Sequence, residues 1–246
     1  MEALLAITAA VFLGGLVKGI NGFGYALVST PLLALMMPVQ DAVALMIIPL
    51  VASNIELASQ SSISELENCT RKFSGIIISL LAGVTAGMLA LTKIPSRPLE
   101  IAVGLTALVF VLSQLQLFEK FFSRISTVCF NTWEPVIGFL SGIVYGATNV
   151  AVTVVAYLKS QNLSHRKFTA TLAITILGIS VYRVFLAEIT GLYAGTDRII
   201  FSLLLGIPAV IAVKIGQRSA GKLPEKTVEK ISLVTIAAIG LRLITG

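Results

Sequence analysis

A chain of 246 residues that is 56% hydrophobic and only 12% charged has too little polar surface for a water-soluble globule, which carries about a quarter charged residues. The formal net charge of +6 does not point to nucleic acid. The basic residues sit in short connections between apolar segments, with no basic run interleaved with aromatics, and retention of cytoplasmic loops accounts for the excess. Two cysteines, Cys69 and Cys129, and one histidine, His165, exclude a disulfide framework, a cysteine-based metal cluster and a histidine-rich metal site, so no cofactor is expected.

Met1-Glu2-Ala3 places no basic region ahead of the first apolar run, which therefore reads as a retained membrane segment. Leu4–Met37 is apolar but interrupted by Gly14, Gly15, Lys18, Gly19, Asn21, Gly22 and Gly24. It splits into two pieces of roughly a dozen residues, short for two full crossings of about 20 residues each. Three spanning helices are expected next, Ala42–Ser59, Phe73–Leu91 and Leu99–Leu117. Asp41 would cap the first of them. Pro49 would kink it, freeing carbonyls to line a cavity. Trp133–Leu158 is then interrupted in its turn by Gly138, Gly142, Gly146, Thr148 and Asn149, and Phe168–Ile189, Ile199–Ile215 and Thr227–Leu243 complete the set.

The expected fold is thus all-α, a polytopic integral membrane protein. It is built from two repeats, residues 1–120 and 121–246, each a broken glycine-rich segment followed by three helices. Gly15-Leu-Val-Lys-Gly19 lines up with Gly138-Phe-Leu-Ser-Gly142, Leu80-Leu-Ala-Gly83 with Leu203-Leu-Leu-Gly206, and Ile94-Pro-Ser-Arg97 with Leu223-Pro-Glu-Lys226. Setting aside Lys18 and Arg183, which fall inside apolar segments, sixteen of the 18 basic residues test the topology. An even number of passes through each broken segment, as a re-entrant hairpin or as paired crossings, splits them 4 to 12 across the membrane. A single pass splits them 6 to 10. The positive-inside rule favours the former. Both termini then lie outside the cytoplasmic membrane, the halves are inverted, and Cys69 and Cys129 face a reducing cytoplasm.

A broken helix at membrane depth must be buried in protein or line a cavity, because lipid satisfies no backbone group. Inverted repeats with such breaks are a recurring transporter plan. The N-termini of half-helices present free N–H groups and partial positive charge to an anion. Gly22 and Gly24 let backbone approach a ligand closely, and Asn21 and Asn149 tolerate turn geometry while offering hydrogen bonds. The G-x-x-x-G pairs Gly15/Gly19 and Gly138/Gly142 read as close helix packing ahead of binding.

Ionisable groups at depth cost about 2.5–3.5 kcal/mol each on insertion scales and are functional candidates. Lys18, one residue before the glycine turn, would meet an anion directly or else snorkel to an interface. Arg183 offers a planar fork suited to an oxyanion, or a structural ion pair. Asn54 and Glu56 are coupling candidates; Glu56 would pair with Lys18 or Arg183, carry a proton, or sit wetted near the interface. Thr148, with Ser29, Thr30, Ser53 and Thr153, would supply hydroxyls, though such residues also bond their own helix backbone.

Gly15-Leu-Val-Lys-Gly-Ile-Asn-Gly-Phe-Gly24, followed by Pro31-Leu32, resembles the opening motif of the TauE/SafE family of sulfite and sulfonate transporters. Gly138 to Leu158 resembles the same motif repeated, and the likeness covers essentially the whole chain. It departs from the family at Gly146-Ala-Thr-Asn-Val-Ala151, where a glycine-rich turn and proline are usual, and at Ser180, where the family tends to carry an Asn three residues before the Arg.

The resemblance implies export or uptake of small sulfur-containing or organic anions. The resulting expectation is a secondary transporter working by alternating access, with a small anion and membrane lipid as partners and with proton or sodium coupling open. Its substrate-binding candidates are Lys18, Asn21, Gly22, Gly24, Thr148, Asn149 and Arg183. A non-transporting membrane scaffold or subunit and an anion channel are the alternatives. No nucleophile motif or metal-ligand cluster supports an enzyme, and the sequence sets no oligomeric state.

Overall fold

The computed structural model describes residues 2–59, 74–114, 135–160, 163–194, 196–220 and 225–246. Cys69, Cys129 and the expected segment ends Phe73, Leu117 and Trp133 lie outside them. Every described element is helical. In chain order these are α1 (Glu2–Asn21), α2 (Tyr25–Ala34), α3 (Val39–Ala58), α4 (Ser74–Lys93) and α5 (Ser96–Gln114). Then follow α6 (Pro135–Thr148), α7 (Val152–Ser160), α8 (His165–Ile189), α9 (Thr196–Ser219) and α10 (Glu225–Thr245). Six described helices are long and apolar enough to cross a bilayer, namely α1, α3, α4, α5, α8 and α9. The chain is an all-α polytopic membrane protein. Its outward surface carries large apolar side chains such as Leu5, Ile78, Phe185, Ile189 and Ile207, as lipid contact requires.

Both glycine-rich regions are broken, at Gly22–Gly24 and at Asn149–Ala151. The first does not divide into equal pieces, however. α1 has 20 residues, about 30 Å at helical rise, and α2 only 10. The helix runs straight through Gly14, Gly15 and Gly19 because those glycines serve packing. A side chain at Gly15 would strike Ala212, and one at Gly19 would meet Val213 O, Gly216 Cα and Gln217 N, all on α9.

The same contact is made a second time. A side chain at Gly142 on α6 would meet Leu80 O, Gly83 Cα and Val84 N on α4. Atom for atom the two sets correspond, displaced by 123 residues from Gly19 to Gly142 and by 133 from Gly83 to Gly216. Gly206, which sequence alignment pairs with Gly83, instead stands 3.6 Å from Ala52 when given a Cβ. Leu-rich membrane helices align at several registers, and only the contact identifies Gly216 as the counterpart.

α3 is the most enclosed of the six, with two thirds of its span, 67%, buried, and it packs on α2, α5, α8 and α9. It continues through Pro49, whose missing N–H leaves the Leu45 carbonyl without its helical donor. That carbonyl accepts from Ser202 Oγ at 2.8 Å. The two carbonyls before it are taken as well, Ala44 O by the Tyr193 hydroxyl at 3.0 Å and Val43 O by Asn149 Nδ2 at 3.1 Å. The freed Leu45 carbonyl therefore binds a side chain from the second half of the chain and does not line a cavity. Nor does Asp41 cap α3. Pro38 holds that position, and Asp41, inside the first turn, pairs with Arg198 at 3.0 Å.

Two stability tests follow from this packing. Gly142→Val should lower the thermal midpoint in detergent by the equivalent of about 1–3 kcal/mol, the usual overpacking cost, whereas Gly206→Ala should be tolerated. Ser202→Ala should cost about 1–2 kcal/mol beside Pro49 because it strands a buried carbonyl. In a Pro49→Ala background, where the helix supplies its own donor, most of that loss should vanish.

Candidate functional site

The first break is built on two residues in left-handed conformation, Gly22 at φ 79° and Gly24 at φ 99°, where an L side chain is strained. Gly22 N closes α1 on Lys18 O at 2.7 Å. Gly24 is the N-cap of α2 and offers no side chain to its first turn, so the leading N–H groups of α2 lack the usual capping partner. In the second break Asn149 takes the left-handed role at φ 65°, as asparagine can. Thr148 Oγ1 secures that turn. It donates to Val144 O at 2.7 Å and accepts from Val150 N at 3.2 Å.

Both breaks open onto one cavity of about 50 Å³, room for a few water molecules and hence for an oxyanion of about four heavy atoms. Its wall includes Gly22, Gly24, the first turn of α2, and Asn149, Val150 and Ala151 ahead of α7. Lys18 and Asn54 add polar groups, while Leu50, Val155, Leu172 and Ile176 make it apolar elsewhere.

Lys18 is 4% exposed and does not snorkel. Its Nζ donates to Ser53 Oγ at 3.0 Å and to Asn54 Oδ1 at 2.7 Å. Those acceptors are held in place because Ser53 Oγ and Asn54 Nδ2 both donate to Leu50 O, at 3.0 and 2.7 Å. The ammonium thus has neutral partners, and no carboxylate among the described residues pairs with it.

Arg183 is fully buried, at 0% exposure, and also lacks a carboxylate among the described residues. It stands behind the cavity wall, not on it. Nη1 donates to Asn149 Oδ1 and Nη2 to Gly146 O at 3.2 Å, while the guanidinium lies 5.0 Å from the centroid of the Tyr145 ring, a cation–π distance. Nε has no partner. The Tyr145 hydroxyl meets Ser180 Oγ at 3.1 Å. Asn149 in turn donates to Thr30 Oγ1 at 3.3 Å and to Val43 O. Both its N–H groups are committed within the protein, so it lines the cavity without a side-chain donor to spare.

The remaining candidates disperse. Asn21, half-buried at the end of α1, is not on the wall, and Thr148 serves the turn. Asn54 reaches the site, but Glu56 does not. It pairs with Lys214 at 3.4 Å in a separate surface groove with Gln217 and Arg218, away from Lys18 and Arg183. Ser53, one of the expected hydroxyls, reaches the site through Lys18, whereas Tyr145 and Tyr25 belong to it and escape sequence reasoning, since an aromatic hydroxyl on an apolar helix carries no pattern of its own. Among the described residues no group of three His, Cys, Asp or Glu could hold a metal.

The family model described as sulfite exporter TauE/SafE matches residues 7–243. No curated protein matches the chain, and no solved structure does.

Arg183→Lys keeps the charge but cannot bond Asn149 and Gly146 O together through a planar fork. It should destabilise the purified protein by about 1–3 kcal/mol, read as a fall in thermal midpoint, with the second break loosened.

Proposed function

Because the chain belongs to the sulfite exporter TauE/SafE family, we propose that it is a secondary transporter that binds a small sulfur-containing anion, sulfite or an organosulfonate, between its two helix breaks. The observation that carries this reading is the Lys18 ammonium, buried with only neutral partners on the same cavity as the uncapped first turn of α2. A buried cation without a counter-ion is costly. Arg183, one residue-layer behind through Asn149, adds a second uncompensated charge. An arriving oxyanion relieves both, and helix N-termini accept it readily. In this reading Lys18, Gly22 and Gly24 meet the substrate, and Arg183, Asn149 and Thr148 hold the second break in shape.

Alternating access is part of the proposal. The doubled contact, α1 on α9 and α6 on α4 with equivalent atoms, supports a duplicated unit, residues 1–120 and 121–246. With the basic residues arranged as above, the halves are inverted and both termini lie outside the cytoplasmic membrane. Rocking one half against the other then exposes the shared cavity to each side in turn. A scaffold gives no use to two buried cations that have no carboxylate partner among the described residues and stand beside a cavity.

Labelled sulfite and methanesulfonate flux into proteoliposomes tests the reading. Saturable flux with counterflow is expected, reduced about 10- to 100-fold by Lys18→Ala, the equivalent of a charged hydrogen bond. Imposed pH and sodium gradients separate proton from sodium coupling. Flux that neither saturates nor shows counterflow means a channel, and no flux under any gradient returns the scaffold.

A further inference from the structure

A buried tyrosine ordinarily finds a partner for its hydroxyl, because no water is there to satisfy the O–H. Tyr25 is only 2% exposed, yet its hydroxyl has no hydrogen-bond partner. The residue opens α2 and stands on the cavity wall. Its ring faces Lys18, whose Nζ is 5.8 Å from the centroid. The ring is also seated by design of the neighbouring helix. A Cβ on Gly14 would lie 3.0 Å from Tyr25 Cδ2, so α1 clears space for the ring at that point.

Other donors on the wall are mostly spent. Both N–H groups of Asn149 go to Thr30 and Val43, and the Tyr145 hydroxyl meets Ser180. One proton of the Lys18 ammonium goes to Ser53 and one to Asn54, which leaves a third. A free ammonium proton and a free phenolic O–H therefore remain on two residues that line one small cavity. Neither has an acceptor among the described residues, and they belong to residues flanking the same glycine turn.

We propose that the Tyr25 hydroxyl is a direct donor to the transported anion, binding one of its oxygens while Lys18 neutralises its charge. This rests on the anion-transport reading and adds to it a substrate-binding residue outside the glycine motif itself. The orphan O–H makes the site costly when empty and well matched when an anion's oxygen fills it, so its worth appears only on binding.

Tyr25→Phe removes the hydroxyl and keeps the ring. The full chain, purified in detergent, is titrated with sulfite and with methanesulfonate, and the dissociation constant is read from the rise in thermal midpoint. The expected result has two parts. The substrate-free variant unfolds at the same temperature as the native protein or higher, because an unsatisfied buried group has been removed. Its apparent dissociation constant for the anion is about 10-fold larger. An unchanged dissociation constant with a lowered midpoint overturns the proposal alone, since it assigns the hydroxyl to a bond within the protein and leaves transport standing. Failure of both anions to stabilise the native chain, together with absent flux, overturns the transport reading and this one with it.

Discussion

The break between α6 and α7 depends on one side chain. Inside a bilayer an interrupted helix exposes carbonyls and N–H groups that lipid cannot bond, and Arg183 supplies what is missing. It holds Gly146 O and Asn149 Oδ1 at once, and Asn149 passes the connection on to Thr30 of α2 and Val43 of α3. Through that chain of bonds the second break is fixed to the first and to the central helix. The position of the cavity follows, because its wall is the backbone of the two breaks.

The two halves solve the same problem with exchanged roles. In the first, the cation lies on the broken helix, and Lys18 of α1 donates to Asn54 of α3. In the second, the cation lies on the long helix that follows, and Arg183 of α8 donates to Asn149 in the break. Each half ties its broken segment to its next long helix through one cation and one asparagine amide oxygen. The motif position of Lys18 is occupied by Ser141 in the second half, so the charges occupy non-equivalent places. One result is two buried positive charges near one cavity, Lys18 on its wall and Arg183 behind it. The other is that only the first-half cation reaches the wall, so that in the proposed transport reading Lys18 is the direct ligand and Arg183 the framework.

Much of this arrangement was legible in the residues, for identifiable reasons. Charges at membrane depth are expensive enough that Lys18 and Arg183 stood out against their apolar surroundings, and the structure buries both. Positive-φ turns need glycine, so Gly22 and Gly24 announced the first break, while Asn149 announced the second less plainly. Register did not come through. Glycines inside α1 read as interruptions because nothing local distinguishes a glycine that breaks a helix from one that admits a neighbour, and Gly216 could not be told from Gly206. Long-range partners were equally silent. Glu56, expected to pair with Lys18 or Arg183, took Lys214 instead, and Asp41 looked like a cap until Arg198 came beside it. Tyr25 was passed over because an aromatic in an apolar segment is ordinary. Only its unpartnered hydroxyl makes it informative.

The cavity's electrostatics also constrain what can drive transport. A cation sharing the site would need oxygen ligands, and the carbonyls and half-helix ends of broken helices are their usual source. Here the Leu45 carbonyl freed by Pro49 is occupied by Ser202, and those of Val43 and Ala44 accept from Asn149 and Tyr193. The two asparagine oxygens are occupied by Lys18 and Arg183. The wall itself contributes no carboxylate, and its two nearest fixed charges are positive. A sodium ion placed there would face that positive charge, whereas an anion meets attraction and free donors. Under the proposed reading, a coupling cation would therefore bind away from the substrate and act through the motion of the halves, not by sharing the substrate's coordination.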